Sequence, residues 1–289
     1  MDFGYFGLNI GALDNADAIA DVAVAAEQLG YESIWTGEHV VLIDPQEAPS
    51  PVPPHAPFVD TVTTLAFAAG KTEKIKLGSG IILLPQRNPI VLAKELAGVD
   101  VLSKGRLIFG LGVGYVPGEF EALGIPYEER GARTTEHIEV IRTLWTQEQP
   151  SFDGQFTKFS GIQSRPLPVQ NPHPPILVGG MSAPALRRAV EQGDGWYGFF
   201  QDLNATEQAV KSLKETAKST ERREGLEPLT ISITPPGAVD ADTAKRYEDL
   251  GVDRLIVMRG FEDMANTGGG GAGGIISFLE DQAKEVGLG

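Results

Sequence analysis

The stretch Tyr31-Glu32-Ser33-Ile34-Trp35-Thr36-Gly37-Glu38-His39 decides the fold, and it follows a helical pattern that stops at Gly30. Its apolar residues predict a short buried strand over residues 32–36. Glu38 and His39 would then lie just past the carboxyl end of that strand, where parallel α/β folds build their active sites. We expect this pair to belong to a functional site. The alternative is a histidine that only satisfies hydrogen bonds in a loop.

The pattern around this strand repeats along the chain. Strand-like apolar runs alternate with amphipathic helical stretches, which is typical of βα units on a parallel sheet. The predicted strands cover residues 3–10, 32–36, 75–83, 107–112, 176–178, 195–197, 229–233 and 254–258. Eight strands that are each followed by a helix predict an α/β fold, a closed (β/α)8 TIM barrel forming a single domain over residues 1–289. A doubly wound open sheet is the alternative.

Capping residues and glycines place the helices between these strands. The first helix follows an Asn15 cap and stops at Gly30, and the third opens at Asn88-Pro89. The remaining helices are expected from residue 59, from about residue 131, over residues 185–191, 205–223 and 243–250, and from residue 275. An insertion-bearing region over residues 113–174 follows the fourth strand, and residues 151–157 within it predict a β-hairpin.

Two segments depart from the repeat. Residues 44–57 hold six prolines soon after His39, which fits a lid or pocket wall, with a plain connector as the alternative. Residues 268–274 comprise six glycines and one alanine, and they predict a mobile surface loop, with a phosphate-binding loop as the alternative.

Charge and composition exclude several classes of partner. The formal charge of −15, from 39 acidic and 24 basic side chains, opposes binding to nucleic acid or to an anionic membrane. The chain has no cysteine, which excludes disulfides, thiolate metal sites and a cysteine nucleophile. The amino terminus has no basic leader pattern, and no apolar stretch approaches the roughly 18 residues of a membrane span. We therefore expect a cytoplasmic protein.

Glycines at two predicted strand ends suggest ligand contacts. The segment 110–118 resembles a dinucleotide fingerprint, but Pro117 stands where the third glycine belongs, no amphipathic helix starts immediately, and the segment lies at a fourth strand rather than in the βαβ unit of the fingerprint, so we reject a Rossmann site. Gly112 and Gly114 remain candidates for close approach to a flat ring, with a tight turn as the alternative. Further along, Gly179, Gly180 and Ser182 offer backbone amides and a hydroxyl at a helix start that suits an anion.

A second close-approach turn, Gly193-Asp194-Gly195-Trp196, lies beside this anion site. The other histidines, His55, His137 and His173, have no metal-ligand spacing, so no metal site is expected. His137 lies at helical spacing from Ile141 and is expected to be structural.

These segments together resemble the bacterial luciferase-like flavin and deazaflavin oxidoreductases, in particular the members that use coenzyme F-420. The likeness extends from the first strand to about residue 200, and beyond it only the barrel pattern persists. The segments that carry the likeness are residues 25–35, 76–81, 87–89, 102–106, 112–115 with 119–120, 175–180 and 193–196.

The resemblance implies a (β/α)8 barrel with the deazaflavin or flavin ring in its mouth, a small-molecule substrate above the ring, and a homodimer. His39 would handle a proton during hydride transfer, with Glu38 as its orienting or charge-tuning neighbour. The third strand would end in a bulge with a non-proline cis peptide between Gly80 and Ile81. The implied cofactor-binding residues are Ser79, Gly80, Ile81, Gly112, Gly114, Tyr115, Gly179, Gly180, Ser182, Gly195 and Trp196.

Two departures from the family pattern bear on the substrate. Sugar-phosphate dehydrogenases of the family place a glutamate where Tyr115 stands and a tryptophan where Ile43 stands. Their absence argues against a sugar phosphate and for an apolar or aromatic-lined pocket. The sequence thus predicts a coenzyme F-420-dependent oxidoreductase. A reduced-FMN monooxygenase and a non-catalytic deazaflavin- or flavin-binding protein are the alternatives.

Overall fold

Eight parallel strands close into a barrel in the computed structural model, which describes residues 1–260 and 270–288. The barrel strands are β1 Asp2–Phe6, β2 Ser33–Thr36, β3 Lys76–Ser79 with its continuation β4 Ile82–Leu83, β5 Leu107–Gly112, β8 Ile176–Gly179, β9 Gly195–Phe199, β10 Thr230–Thr234 and β11 Arg254–Val257. Two further strands, β6 Phe152–Asp153 and β7 Lys158–Phe159, lie outside the barrel. β1 pairs with both β2 and β11, and β3 pairs with β5. This closure confirms the predicted TIM barrel over the open sheet. The short β6 and β7 form the antiparallel hairpin predicted near residues 151–157.

Helices connect the strands on the outside of the barrel. They are α1 Ala16–Gln28, α2 Thr61–Ala69, α3 Pro89–Leu102, α4 Pro117–Ala122, α5 Arg130–Thr146, α6 Ala183–Gln192, α7 Leu203–Ser219, α8 Ala241–Asp249 and α9 Gly271–Val286. The predicted caps are present, because the Asn15 side chain accepts from the Ala18 amide and Asn88 accepts from the Ile90 amide. In the described part of the chain, no helix is long and apolar enough to cross a membrane.

Several predicted elements shift by a few residues at their ends, such as α7, which ends at Ser219 rather than at residue 223, and three differ in ways that affect the barrel. β1 ends at Phe6 rather than at residue 10, because Gly7 turns the chain with a φ of 109°. The third strand is interrupted between Ser79 and Ile82. The last helix begins at Gly271 rather than at residue 275, so residues 271–274 form its first turn and not a surface loop; residues 268 and 269 lie outside the described residues. Burial of Ile275 and other apolar residues of α9 holds this helix against the barrel.

Side chains alternate between two apolar layers. Residues that point into the barrel include Phe6, Trp35, Ile108, Leu177, Tyr197 and Ile256, whereas their chain neighbours pack against the helices. Gly78 makes room for Trp35, since a Cβ at Gly78 would lie 2.4 Å from the indole ring. His137 is buried in α5 with Nδ1 3.4 Å from the Leu84 carbonyl oxygen, in keeping with its predicted structural role.

Candidate functional site

A cavity of about 230 Å³ opens at the carboxyl ends of the strands. It brings together eight of the residues that the sequence singled out: Glu38, His39, Gly80, Ile81, Gly114, Tyr115, Gly179 and Gly180. The other lining residues are Phe6, Ile10, Gly37, Pro51, Val52, Phe58, Leu83, Met181, Tyr197, Gly198 and Phe199. The cavity is therefore largely apolar, with few polar groups that converge on it, which is the usual composition of a small-molecule site.

His39 stands in the cavity wall between two aromatic rings. Its ring meets Phe58 edge-on at 5.4 Å and Tyr115 edge-on at 6.2 Å, measured between centroids. Its Nδ1 lies 2.5 Å from Oε1 of Glu119, which α4 carries into the barrel mouth. Oε2 of Glu119 accepts a hydrogen bond from Nε2 of Gln86 at 3.0 Å. One edge of the imidazole is thus anchored.

Glu38 has a different set of partners from the one that we expected. Its carboxylate accepts from the Leu83 amide at 2.6 Å and from Nε of Arg87 at 3.0 Å, and Arg87 also pairs with Asp60 at 2.7 Å. Burial raises the pKa of Glu38, while Arg87 and the Leu83 amide act in the opposite direction. Burial acts to lower the pKa of Arg87, but the carboxylates of Glu38 and Asp60 outweigh it and raise that pKa. The carboxylate that contacts His39 is Glu119, which corrects the orienting role expected of Glu38.

The bulge after β3 supplies the floor of the cavity. The peptide bond between Gly80 and Ile81 is cis, as predicted. A Cβ at Gly112 would lie 2.0 Å from Cδ1 of Ile81, so Gly112 makes room for Ile81 rather than lining the cavity. Ser79 is fully buried, and its hydroxyl donates to the Gly110 carbonyl at 2.7 Å. Ser79 and Gly112 therefore support the bulge on the side that faces away from the cavity.

The end of β8 forms the opposite wall. Gly179 and Gly180 line the cavity, and Gly180 has a φ of 111° that favours glycine. Ser182 is exposed at the start of α6, where its hydroxyl accepts from the Ala185 amide at 3.4 Å. Ser182 therefore caps the helix at the edge of the cavity.

Besides Ser79, Gly112 and Ser182, two further residues predicted as cofactor contacts do not line the cavity. Gly195 begins β9 and so lies at the amino end of that strand, opposite the cavity. Trp196 is fully buried, points outward into the helix layer, and donates from Nε1 to the Gly180 carbonyl at 2.9 Å. Trp196 therefore affects the cavity only indirectly, by fixing the position of Gly180.

Sequence reasoning missed the aromatic base of the cavity. Phe6 and Phe199 pack at 4.9 Å between centroids, and the hydroxyl of the buried Tyr197 pairs with Thr234 at 2.7 Å. Phe6 and Phe199 are the last residues of β1 and β9, but the predicted strands covered residues 3–10 and 195–197, so the sequence did not place these rings at strand ends. Pro51 and Val52 also line the cavity, which bears out the prediction of a pocket wall for the proline-rich loop.

A larger cavity of about 770 Å³ lies at the amino ends of the strands, among residues such as Lys76, Arg106 and Arg254. Its cations are committed to the protein: Arg254 pairs bidentately with Glu32, and Arg106 donates to carbonyls at the end of α2. That face of a TIM barrel ordinarily serves stability. The smaller cavity is therefore the candidate site.

The protein is a closed (β/α)8 barrel with an apolar, glycine-lined cavity and a hydrogen-bonded histidine at the carboxyl ends of its strands. This is the end of the barrel at which TIM-barrel enzymes carry their active sites. A family model described as luciferase-like monooxygenase matches residues 1–284. The chain belongs to that family, as the sequence motifs predicted.

The chain is similar to proteins of several kinds within this family and fold. The uncharacterized protein Rv0953c of Mycobacterium tuberculosis is 30% identical over 261 residues, which cover 87% of this chain and 90% of that protein. An FMNH2-dependent dimethylsulfone monooxygenase of Pseudomonas putida is 36% identical over 151 residues, covering 51% of this chain and 40% of the relative. Among solved structures, an F-420-dependent secondary alcohol dehydrogenase in complex with an F-420–acetone adduct superposes with a TM-score of 0.76 at 16% identity, covering 99% of this chain and 98% of that one.

Proposed function

We propose that this protein is an oxidoreductase that transfers a hydride between the deazaflavin coenzyme F-420 and a small organic substrate. The observation that carries the proposal is His39, which stands in the wall of the apolar cavity with Nδ1 bound to Glu119. Hydride transfer to a carbonyl or imine carbon must be accompanied by a proton, and histidine is the side chain best suited to exchange one near neutral pH.

The cavity fits a flat ring system. Six of its lining residues are glycines: Gly37, Gly80, Gly114, Gly179, Gly180 and Gly198. A Cβ at Gly179 would lie 3.1 Å from Cδ1 of Ile81 and would fill the space between the two walls. Gly80, Ile81, Gly179 and Gly180 would hold the ring, and the exposed Ser182 would meet the anionic tail. When bound, the coenzyme supplies or accepts the hydride.

The side chains of this protein would position the substrate, exclude water and handle the proton. Phe6, Phe58 and Phe199 line the cavity with apolar surface that keeps water from the reacting atoms. His39 would donate or accept a proton at Nε2, since Nδ1 is occupied by Glu119. Burial and the nearby Glu119 raise the pKa of Tyr115 to about 12, so its phenol stays protonated and is able to donate a hydrogen bond to the substrate.

The charges around the cavity favour an uncharged substrate. In the described ranges the ionisable lining residues are Glu38, His39 and Tyr115, and none is Lys or Arg. Glu38 is paired with Arg87, so no cation is left there for a phosphate or carboxylate. Ile43 stands where sugar-phosphate dehydrogenases have a tryptophan, and it packs against Gly118 of α4. A Cβ added at Gly118 would lie 2.6 Å from Cδ1 of Ile43. The acetone adduct of the similar alcohol dehydrogenase also involves a small uncharged molecule.

A reduced-FMN monooxygenase is the second candidate. The observation that favours it is the 36% identity to the dimethylsulfone monooxygenase, which exceeds the 16% identity to the F-420-dependent dehydrogenase. Either ring would fit the same glycine-lined walls. A non-catalytic carrier of either cofactor is the third candidate.

Fluorescence titrations with each cofactor, in parallel with turnover assays, test the proposal. We expect coenzyme F-420 to bind at least tenfold more tightly than FMN, a difference of about 1.4 kcal/mol. The ionic strength must be fixed, because the net charge of −15 opposes an anionic tail. Tighter binding of FMN, with oxygen consumption in the presence of reduced FMN, would assign the protein to the monooxygenases.

Replacement of the proton carrier gives the matching kinetic test. His39→Ala should lower turnover by roughly 10²–10⁴ with little change in cofactor affinity, the usual effect of losing a general acid or base. The control is His55→Ala in the proline-rich loop, where His55 is exposed and does not line the cavity. Turnover that is unchanged in His39→Ala contradicts the assignment. Cofactor binding without turnover of any electron acceptor indicates a carrier.

A further inference from the structure

Glu119 is a buried carboxylate that contacts His39 with one oxygen and Gln86 with the other. Its exposed fraction is 1%, and its two oxygens contact Nδ1 of His39 at 2.5 Å and Nε2 of Gln86 at 3.0 Å. Neither partner is Lys or Arg. A carboxylate withdrawn from water needs hydrogen bonds or a positive charge to offset its lost hydration. Of these two partners, only His39 is able to carry that charge, in its imidazolium form.

The other groups that face His39 do not supply this charge. Tyr115 approaches edge-on at 6.2 Å, and its phenol is neutral near pH 7. Glu38 precedes His39 in the chain, but it is paired with Arg87, which also pairs with Asp60. Phe58 on the remaining side is apolar. Among the described groups around His39, Glu119 therefore supplies the carboxyl that contacts the imidazole directly.

Gln86 fixes the orientation of Glu119. It ends a short 3-10 helix, Leu84–Gln86, that follows β4, and it is nearly buried. Its Nε2 donates to Glu119, whereas its Oε1 has no hydrogen-bond partner in the described part of the chain. Rotating the amide would bring its oxygen against the carboxylate, so the donor arrangement is the favoured one. The amide is thus committed to Glu119 at the expense of its own carbonyl group.

We propose that Glu119, held by Gln86, is a positioning residue that keeps a hydrogen on Nδ1 of His39, balances the charge of the imidazolium and leaves Nε2 as the atom that exchanges a proton with the substrate. The inference rests on the proposed function only in making His39 the proton carrier. In the reducing direction, the imidazolium would give its Nε2 proton to the substrate, matching the hydride that the bound coenzyme would supply. The product is a neutral imidazole with its hydrogen on Nδ1, and oxidation reverses both transfers.

The tautomer of His39 tests this role without cofactor or substrate. Nitrogen NMR of protein labelled at its histidines, with the His39 signal assigned by His39→Gln, should show the neutral ring with hydrogen on Nδ1. Glu119→Met removes the acceptor and should shift the neutral ring toward the Nε2-protonated tautomer. Glu121→Met, at an exposed position of the same helix, should leave the spectrum of His39 unchanged. A wild-type ring with hydrogen on Nε2 and a bare Nδ1 overturns the proposal, even if Glu119→Met fails to fold.

Turnover assays separate this inference from the proposed function. Glu119→Met should lower turnover with coenzyme F-420 by roughly 10²-fold, with cofactor affinity within about twofold, because orientation of a general acid or base affects the chemical step. Glu121→Met should match the wild type. Wild-type protein with the expected tautomer but no hydride transfer refutes the proposed function alone. An active enzyme whose tautomer and turnover both survive Glu119→Met refutes the positioning role alone.

Discussion

At the scale of single residues, the fold determines what each side chain does. His39 follows a strand end and enters the cavity as its sequence position predicted. Its acidic neighbour in the chain turns away to Arg87, and the carboxylate beside the imidazole comes from 80 positions further along. Glycines show the same dependence, since Gly78 lies inside the barrel for a reason that only its neighbour Trp35 reveals.

Gly78→Ala should destabilise the protein. The added Cβ would lie 2.4 Å from Cδ2 and Cε3 of Trp35, which is fully buried and has no room to move. Overpacking of this kind costs about 1–3 kcal/mol. Urea denaturation of the variant measures the loss in the free energy of unfolding.

The control for this measurement is Gly98→Ala within α3. A Cβ at Gly98 has no heavy atom within 4 Å, and alanine is the better helix former by about 0.5–1 kcal/mol. We expect a small gain in stability there. Equal stability of Gly78→Ala and the wild type would show that Trp35 is able to move aside.

At the scale of elements, one arginine links three segments around the mouth. Arg87 follows the 3-10 helix after β4, Glu38 follows β2, and Asp60 caps α2. Glu38 is 3% exposed at its side chain, whereas Asp60 is 43% exposed, so the inner pair determines the energetics. The cluster fixes the loop that carries His39.

Arg87→Met should cost about 3–5 kcal/mol of stability at neutral pH, because it leaves the buried charge of Glu38 unpaired. Burial already raises the pKa of Glu38 in the folded protein, and loss of Arg87 raises it further. A carboxyl with a raised folded pKa destabilises the fold progressively as pH rises above its unfolded pKa of about 4.3. The penalty in thermal or urea unfolding should therefore be larger at pH 8 than at pH 5.5.

Arg187→Met is the control, because the pair of Arg187 with Glu191 is 70% and 47% exposed. Such a pair contributes about 0–1 kcal/mol, so its loss should be small at both pH values. A penalty for Arg87→Met that does not depend on pH would mean that Glu38 does not carry the effect.

At the scale of the whole molecule, one outer face carries exposed apolar residues. Val91 and Leu102 of α3 are 53% and 62% exposed, and their spacing of about three turns puts them on one side of the helix. Val169, which is 56% exposed, lies beside the end of α3 because its amide donates to Asp100. Clustered exposed apolar surface is typical of an interface. We therefore expect that the homodimer implied by the family resemblance, if it forms, uses this face.

Light scattering should give twice the chain mass of 30.9 kDa for the wild type. Leu102→Glu places a charge in the apolar face and should yield monomers at micromolar concentration. Ala217→Glu, at an exposed position of α7, introduces the same charge elsewhere and should leave the dimer intact. A monomeric wild type, or a dimer that is insensitive to Leu102→Glu, contradicts this interface.

The sequence by itself determined the alternation of strands and helices, the caps at Asn15 and Asn88, and the extent of the strand Leu107–Gly112. These features follow from local periodicity and capping chemistry, which act between residues close in the chain. The resemblance to a family added the cis bond at Gly80 and Ile81, which no local pattern predicts.

Only the tertiary structure decided which residues share the site. It brought Glu119 to His39, turned Glu38 toward Arg87, and placed Gly195 at the far end of the barrel. It also drew residues 271–274 into a helix, where burial of the following apolar residues outweighs the poor helix propensity of glycine. The physical reason is that barrel closure and side-chain packing join residues far apart in sequence, and local periodicity carries no information about such pairs.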